Sequence, residues 1–340
     1  MPVIPAARLE EGAAALLRAA GAPDDVARVT AAAIVGADVV GHESHGVAQL
    51  PGYLAAIRAG RIVPAARPIA VRQTETTVVL DAARGLGHYS ATVAMDAAID
   101  RARRLHLGAA SLANANHTGR LGTYAERAAA CGCIGIVALG VGGTSGTTAP
   151  FGGTRGALGS NPIAAAVPIA GRAPFVMDMA TSVLSNGKIA IARREGRRLP
   201  PGAILDPQGR PSTDPEDWAA GGPMLPAGGY KGYALALLNL FLAALAVAGV
   251  PAGERIAGMF FLALDVAAFQ PLEDYAARAA AYVEQLKRVP TAEGVDEILL
   301  PGERAARTAE RRRREGVPVP DDTWAGLARA AADWGVPWPT

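Results

Sequence analysis

The chain has 340 residues, half of them hydrophobic, a formal charge of +2 and two cysteines. That length buries a large core in two or three subdomains, and so small a charge demands no basic face and argues against a nucleic-acid partner. Cys131 and Cys133 are too close for an ordinary disulfide, which fits a reducing cytoplasm, and two cysteines make no zinc site.

The N-terminus lacks a charged segment followed by an apolar core, so no signal peptide is expected. Residues 10–20 read as a helix stopped by Gly21. Pro23 presets a second helix, with Asp24 and Asp25 in its first turn, where carboxylates suit the dipole. Val26, Val29, Ala33, Ala37 and Val40 give it one apolar face. It delivers the chain to Gly41-His42-Glu43-Ser44-His45-Gly46-Val47. A histidine between a hydroxyl and a glycine suits proton transfer, with a free pKa near ~6.5. A satisfied surface histidine at a polar helix start explains the same residues about as well. Ser44 can cap the helix or hydrogen-bond a ligand, and Gly46 permits close backbone approach. Leu50, Tyr53, Leu54 and Ile57 then mark one side of a third helix ending at Gly60.

Beyond Pro64 and Pro68 the texture becomes β–α alternation. Strands are predicted at 76–80, 108–112, 134–139, 175–179 and 260–264, and helices at 90–103 and 121–131. Residues 193–218, rich in Pro, Gly, Arg and Asp, read as a surface excursion. The apolar run 233–250 just reaches membrane-spanning length but contains Asn239, so a buried core helix is predicted. Residues 274–287 and 303–314 are helical by composition, with Arg311 to Arg314 as a solvated face.

Two glycine-rich turns test for a dinucleotide fold of the usual kind. Gly85-Leu86-Gly87-His88-Tyr89-Ser90 has serine where the third glycine belongs, and no strand ends in an acidic residue at the expected distance. The second turn, 140–146, runs on into Pro150 and cannot set a helix N-terminus on a pyrophosphate. Its backbone could still cradle phosphate as a nest. The sequence therefore argues against a standard Rossmann module.

Several stretches carry candidate chemistry. Asn116 and His117 follow a predicted strand, where open α/β sheets gather ligands. Asn161 lies in a tight turn before Pro162, exposing hydrogen-bonding groups. Asp178 interrupts an apolar strand and needs a partner, as a cap of the helix containing Lys188 or as the orienter of a histidine or cofactor. Lys231 stands at a helix start, where the dipole disfavours a cation unless an anion also binds or the side chain snorkels. Glu303 opens a helix, which local capping already explains.

Taken in order, Gly-His-Glu-Ser-His-Gly-Val, Asn-Ala-Asn-His, Leu-Gly-Ser-Asn-Pro-Ile, Pro-Phe-Val-Met-Asp-Met-Ala-Thr-Ser, Gly-Tyr-Lys-Gly-Tyr and Leu-Pro-Gly-Glu-Arg resemble the malate/L-lactate dehydrogenase family of the non-Rossmann type. Its members include sulfolactate, ureidoglycolate and diketogulonate oxidoreductases and cyclic imino acid reductases. The resemblance spans nearly the whole chain. It implies an α/β fold with a large mixed sheet, and cytoplasmic homodimers acting on small molecules, with the site near the subunit interface. A helical subdomain would comprise 1–72 with 295–340, and an α/β cofactor- and substrate-binding region 73–294. It also implies hydride transfer between NAD or NADP and a 2-hydroxy or 2-oxo acid, or a related imine.

His45 and His117 match the proposed acid/base histidines, and Ser44, Gln49, Asn116 and Asn161 are the expected substrate contacts. Asp178, Met179, Ala180, Thr181, Ser182, Lys231, Gly232, Gly302, Glu303 and Arg304 match cofactor-contacting positions; no metal is implied. The sequence departs from the pattern at Gln49, where the family usually has a carboxylate-clamping arginine, and at Asn239, where it has glutamate. The connection 248–259 is also shorter than usual. These departures leave a cyclic imine or another atypical substrate open. A cofactor-binding relative without turnover is the alternative of another class, which the retention of both histidines disfavours.

Overall fold

The computed structural model describes residues 1–143, 146–247 and 255–338. Strand β1 (Val3–Ile4) and helices α1 (Ala6–Ala19), α2 (Asp24–Val39) and α3 (Leu50–Arg58) open the chain. Then come β2 (Ile69–Gln73), β3 (Thr77–Asp81), α4 (Gly87–Leu105), β4 (Leu107–Ala113), α5 (Gly122–Ala130), β5 (Cys133–Gly142), β6 (Ile163–Val167) and β7 (Phe175–Met179). A lobe of α6 (Asn186–Arg194), β8 (Ile204–Leu205), β9 (Pro211–Ser212) and α7 (Pro215–Ala219) precedes α8 (Tyr230–Ala244). Strand β10 (Ile256–Asp265), α9 (Leu272–Lys287), α10 (Glu303–Glu315), β11 (Val317–Pro318) and α11 (Asp321–Asp333) complete the fold.

Seven strands form one sheet in the order β2-β3-β4-β10-β5-β6-β7. Only β3 and β4 run parallel; every other neighbouring pair is antiparallel. This mixed order is not that of a doubly wound dinucleotide fold, as the imperfect glycine fingerprint implies. Helices α4 and α5 cover one face, burying Met95, Ala98 and Ala125 with Leu112, Val137 and Phe261. Helix α8 covers the other, and so closely that side chains are excluded. A Cβ on Gly140 would lie 2.5 Å from the Asn239 carbonyl, and one on Gly258 2.6 Å from that of Ala243. Gly140 and Gly142 thus serve helix–sheet contact inside β5, not a phosphate nest; Thr144 and Ser145 of that turn lie outside the described residues.

A second apolar cluster joins α1, α2 and α3 to α10 and α11 through Leu16, Ile34, Leu50, Ala309 and Leu327. The residues that predict the N-terminal helices thus pack on C-terminal ones. The excursion at 193–218 overlaps a lobe with its own small core of Ile189, Leu199, Ile204 and Met224.

Two strands of the seven-stranded sheet are not predicted from the sequence. Strand β2 is exposed throughout, and β6 is mostly alanine, so neither carries a strong β-branched signal. Helix α8 also differs from the buried helix expected at 233–250. Leu238, Phe241 and Leu245 are 48%, 64% and 57% exposed along one side. Residues 248–250 of that stretch, and 248–254 of the short connection, lie outside the described residues. No helix among the described residues is long and apolar enough to cross a membrane.

Candidate active site

The two expected histidines arrive from opposite parts of the fold and meet. Helix α2 ends at Val39, and two 3-10 turns, Glu43–His45 and Val47–Gln49, lead into α3. His117 lies in the loop after β4. That loop sits against the first residue of α4, where a Cβ on Gly87 would be 2.2 Å from the Asn116 carbonyl. The glycines of the imperfect fingerprint thus seat a histidine loop. The rings of His45 and His117 stack with centroids 5.5 Å apart.

Each ring is held through Nδ1. Ser44 Oγ lies 3.0 Å from His45 Nδ1, so Ser44 contacts the histidine rather than capping the helix. Tyr53 Oη lies 2.6 Å from His117 Nδ1. Burial pushes the Tyr53 phenol well above its usual range, keeping it neutral. If Nδ1–H of each histidine is the donor, Nε2 carries the lone pair that a general base needs. Burial, and then the nearby Arg120 cation, lower the pKa of His45. Burial, and then the neighbouring His45, push the pKa of His117 down to about 4. His88, which sequence reading did not single out, completes the aromatic group at 5.5 Å from Tyr53 and 6.3 Å from His117. Fully enclosed, with Nε2 unpartnered, it is pushed down to about 3, chiefly by burial, and stays neutral.

The turn around His45 rests on Asp38, a buried carboxylate that accepts the Val47 amide at 2.8 Å. Burial pushes its pKa up to about 7. Gly46 is required here, because a Cβ would lie 1.9 Å from Asp38 Oδ1. Gln49 turns back on the same loop, Nε2 donating to the Ser44 carbonyl at 2.9 Å. One of its two donor hydrogens is therefore already used.

Other expected contacts are structural in their side chains. Both bonds from Asn116 Nδ2 go to carbonyls, of Arg84 and Gly85. Asn161 departs furthest from expectation. Fully buried with φ of 33°, it accepts the Val141 amide, donates to the Ala236 carbonyl and offers its own carbonyl to Asn239. It locks β5 and β6 to α8 instead of facing a substrate. Asp178 does not cap the helix containing Lys188, since Ser185 caps α6. Its carboxylate accepts the Gly122 amide at 2.7 Å and faces Arg120 at 3.7 Å. Arg120 is nearly enclosed and forked onto Glu126 at 2.7 and 3.0 Å, so it is not free to clamp a substrate acid. His42 lies within the field of the Asp178 carboxylate and Arg120.

The remaining positions converge on β7. Gly302, left-handed at φ 91°, packs on Val176, where a Cβ would lie 2.9 Å from the valine Cβ. Gly232 packs on the segment after β7, where a Cβ would be 2.6 Å from the Thr181 carbonyl. Thr181 and Ser182 bond the carbonyls of Ser160 and Leu184, and Met179 is 43% exposed at the strand end. Ala180 lies between them. Burial would raise Glu303, but Lys287, the Leu300 amide and Arg307 bring it down to about 2. Its carboxylate is thus spent on the scaffold. The N-termini of α8 and α10 therefore both reach the β7 region, with Lys231 and Arg304 exposed beside them. Two helix starts and two cations whose side chains make no ion pair among the described residues suit a polyanion such as a dinucleotide. Among the described residues no three His, Cys, Asp or Glu side chains are grouped to hold a metal ion.

Comparison with known proteins agrees with this geometry. The family model for malate/L-lactate dehydrogenase matches residues 4–328. An L-sulfolactate dehydrogenase of Methanocaldococcus jannaschii is 33% identical over 332 residues, 94% of each chain. A (2R)-3-sulfolactate dehydrogenase (NADP(+)) of Chromohalobacter salexigens is 39% identical over 232 residues, 68% of each chain. The crystal structure of malate dehydrogenase from Entamoeba histolytica superposes with a TM-score of 0.93 at 27% identity, covering 100% of this chain and 99% of that one.

Proposed function

The chain belongs to the malate/L-lactate dehydrogenase family, and from that premise we propose that it transfers hydride between NAD or NADP and C2 of a small 2-hydroxy or 2-oxo acid. The observation that carries this reading is the stacked pair His45–His117, each ring with Nδ1 engaged and Nε2 left for a substrate. The bound cofactor supplies the hydride acceptor or donor. The chain's task is the proton: a neutral imidazole takes the hydroxyl proton during oxidation and returns it during reduction. Ser44 and Tyr53 orient the two rings. Lys231, Gly232, Gly302 and Arg304, with the segment 179–182, would hold the cofactor, the glycines through backbone and the cations against phosphate.

The test is a panel of 2-oxo acids, 2-hydroxy acids and cyclic imines run with both cofactors. Turnover of none of them, despite cofactor binding seen by nicotinamide fluorescence, would sink the proposal. Gln49 bears on which substrate wins. An arginine there would add charge-assisted bonds to a carboxylate that a neutral amide cannot copy. Gln49→Arg is therefore expected to raise kcat/KM for simple 2-oxo acids by roughly tenfold or more. No gain on any simple acid would remove position 49 from substrate binding.

The same reading makes the protein a cytoplasmic homodimer of two-part subunits, 1–72 with 295–340 and 73–294. The two separate apolar clusters support that division, although β2 crosses the boundary at 72. Support for the dimer comes from α8, where Ala234, Leu238, Phe241 and Leu245 recur at i, i+4, i+7 and i+11 on the exposed side. A second copy of this stripe is its self-complementary cover. Light scattering should give twice 34.7 kDa for the wild type, and close to a single chain for Leu238→Glu/Phe241→Glu. A double variant that remains dimeric would place the interface elsewhere.

A further inference from the structure

Helix α10 links the two halves of the site. It begins at the Gly302–Arg304 turn and, at ~1.5 Å per residue, runs about 20 Å. Its far end reaches the loop carrying His45. Thr308 packs on Gly41, where a Cβ would lie 3.2 Å from its methyl, and Ala309 is buried beside it. One turn on, Arg312 donates through Nη1 to the Asp38 carbonyl and through Nη2 to Glu43 Oε1 at 2.6 Å.

These bonds join different segments. The Asp38 carbonyl belongs to the last turn of α2, where the dipole favours a cation. Glu43 begins the 3-10 turn that ends at His45, and its carbonyl accepts the Gly46 amide at 3.1 Å. Arg312 thus pins both sides of the loop two residues before the histidine. It is no ordinary surface pair, since its side chain is only 12% exposed. A rigid helix held at one end by β7 and at the other by this fork can transmit a shift between them.

We propose that Arg312 is a positioning residue through which occupancy of the Gly302–Arg304 turn sets the placement of His45. The proposal rests on the cofactor reading above. Its experiment is amide hydrogen exchange of segment 42–49 in the intact protein, with and without saturating NADP+ or NAD+, in wild type, Arg312→Lys and Arg312→Met. Cofactor should slow exchange across 42–49 in the wild type. In Arg312→Met that response should vanish and kcat fall about tenfold, with cofactor affinity within about twofold. Arg312→Lys, which keeps the charge but not the fork, should recover only part of the response. A wild type that binds cofactor with no change at 42–49 overturns the coupling, even if the methionine variant fails to fold. An unaltered response and kcat in Arg312→Met also overturns it. A wild type that binds neither nucleotide overturns the cofactor reading instead.

Discussion

Replacing His117 by Gln should lower turnover by about 10²–10⁴-fold, the range supplied by one positioned acid/base, and His45→Gln should do the same if both rings share the proton. Cofactor affinity should hardly move, because neither ring approaches the β7 cluster through any contact described above. Glutamine keeps a hydrogen-bonding group while losing the proton that shuttles. The pH profile supplies an independent check. Burial lowers the pKa of both imidazoles, so each stays neutral to a lower pH than a free one at ~6.5. For alcohol oxidation the base form is the active one. The acid limb of kcat/KM should therefore lie below pH ~6.5. Full activity in both single variants would remove the histidine mechanism, and an acid limb well above that value would remove its electrostatic basis.

The second large effect is expected at Gly46. Its φ of −89° is open to any residue, so the obstacle to alanine is contact, not backbone strain. The new methyl would meet both oxygens of Asp38, at 1.9 and 2.4 Å. Asp38 is 4% exposed and has no room to swing into water without abandoning the Val47 amide. Gly46→Ala should cost about 1–3 kcal/mol for the broken buried bond alone, and turnover should fall as the loop moves. The cycle with Asp38→Ala separates cause from coincidence. Once the carboxylate is gone, adding the methyl should do little further harm in a denaturant melt. Additive losses in the double variant would show that the clash is not the cause.

Much of the fold was legible because its local signals agree with its global one. Pro23 with the following aspartates starts α2, and Phe175–Met179 reads as a strand and is one. Serine in place of the third glycine of the first fingerprint, and no strand ending in an acidic residue at the expected distance, argued against a Rossmann unit, and the sheet is mixed rather than doubly wound. The histidine pair was legible as two motifs, but their meeting was not, because residues 45 and 117 are joined by packing and not by sequence. Tyr53 read as one apolar position in a helix, since nothing local reveals its phenol on a distant imidazole. Asn161 and Asp178 misled for a shared reason. A polar residue in an apolar setting announces that it has a partner without saying whether that partner is ligand or main chain. Their partners are the Val141 and Gly122 amides. Helix α8 looked buried from its composition, yet composition does not say which half of a helix finds a neighbour.

The place of β10 bears on how the chain acquires its shape. This strand pairs with β4 on one side and β5 on the other, ten residues against Cys133–Gly142 and seven against Leu107–Ala113. It is made more than a hundred residues after either partner. During synthesis the middle of the sheet is therefore missing until Asp265 has left the ribosome. Up to then β4 and β5 each carry an edge with open hydrogen-bonding groups, of the kind that recruits foreign strands. Closing so many distant contacts is slow by loop entropy, and the delay exposes the nascent chain to aggregation. A truncation ending before Ile256 should therefore be captured by chaperones or precipitate, whatever helices it has already formed.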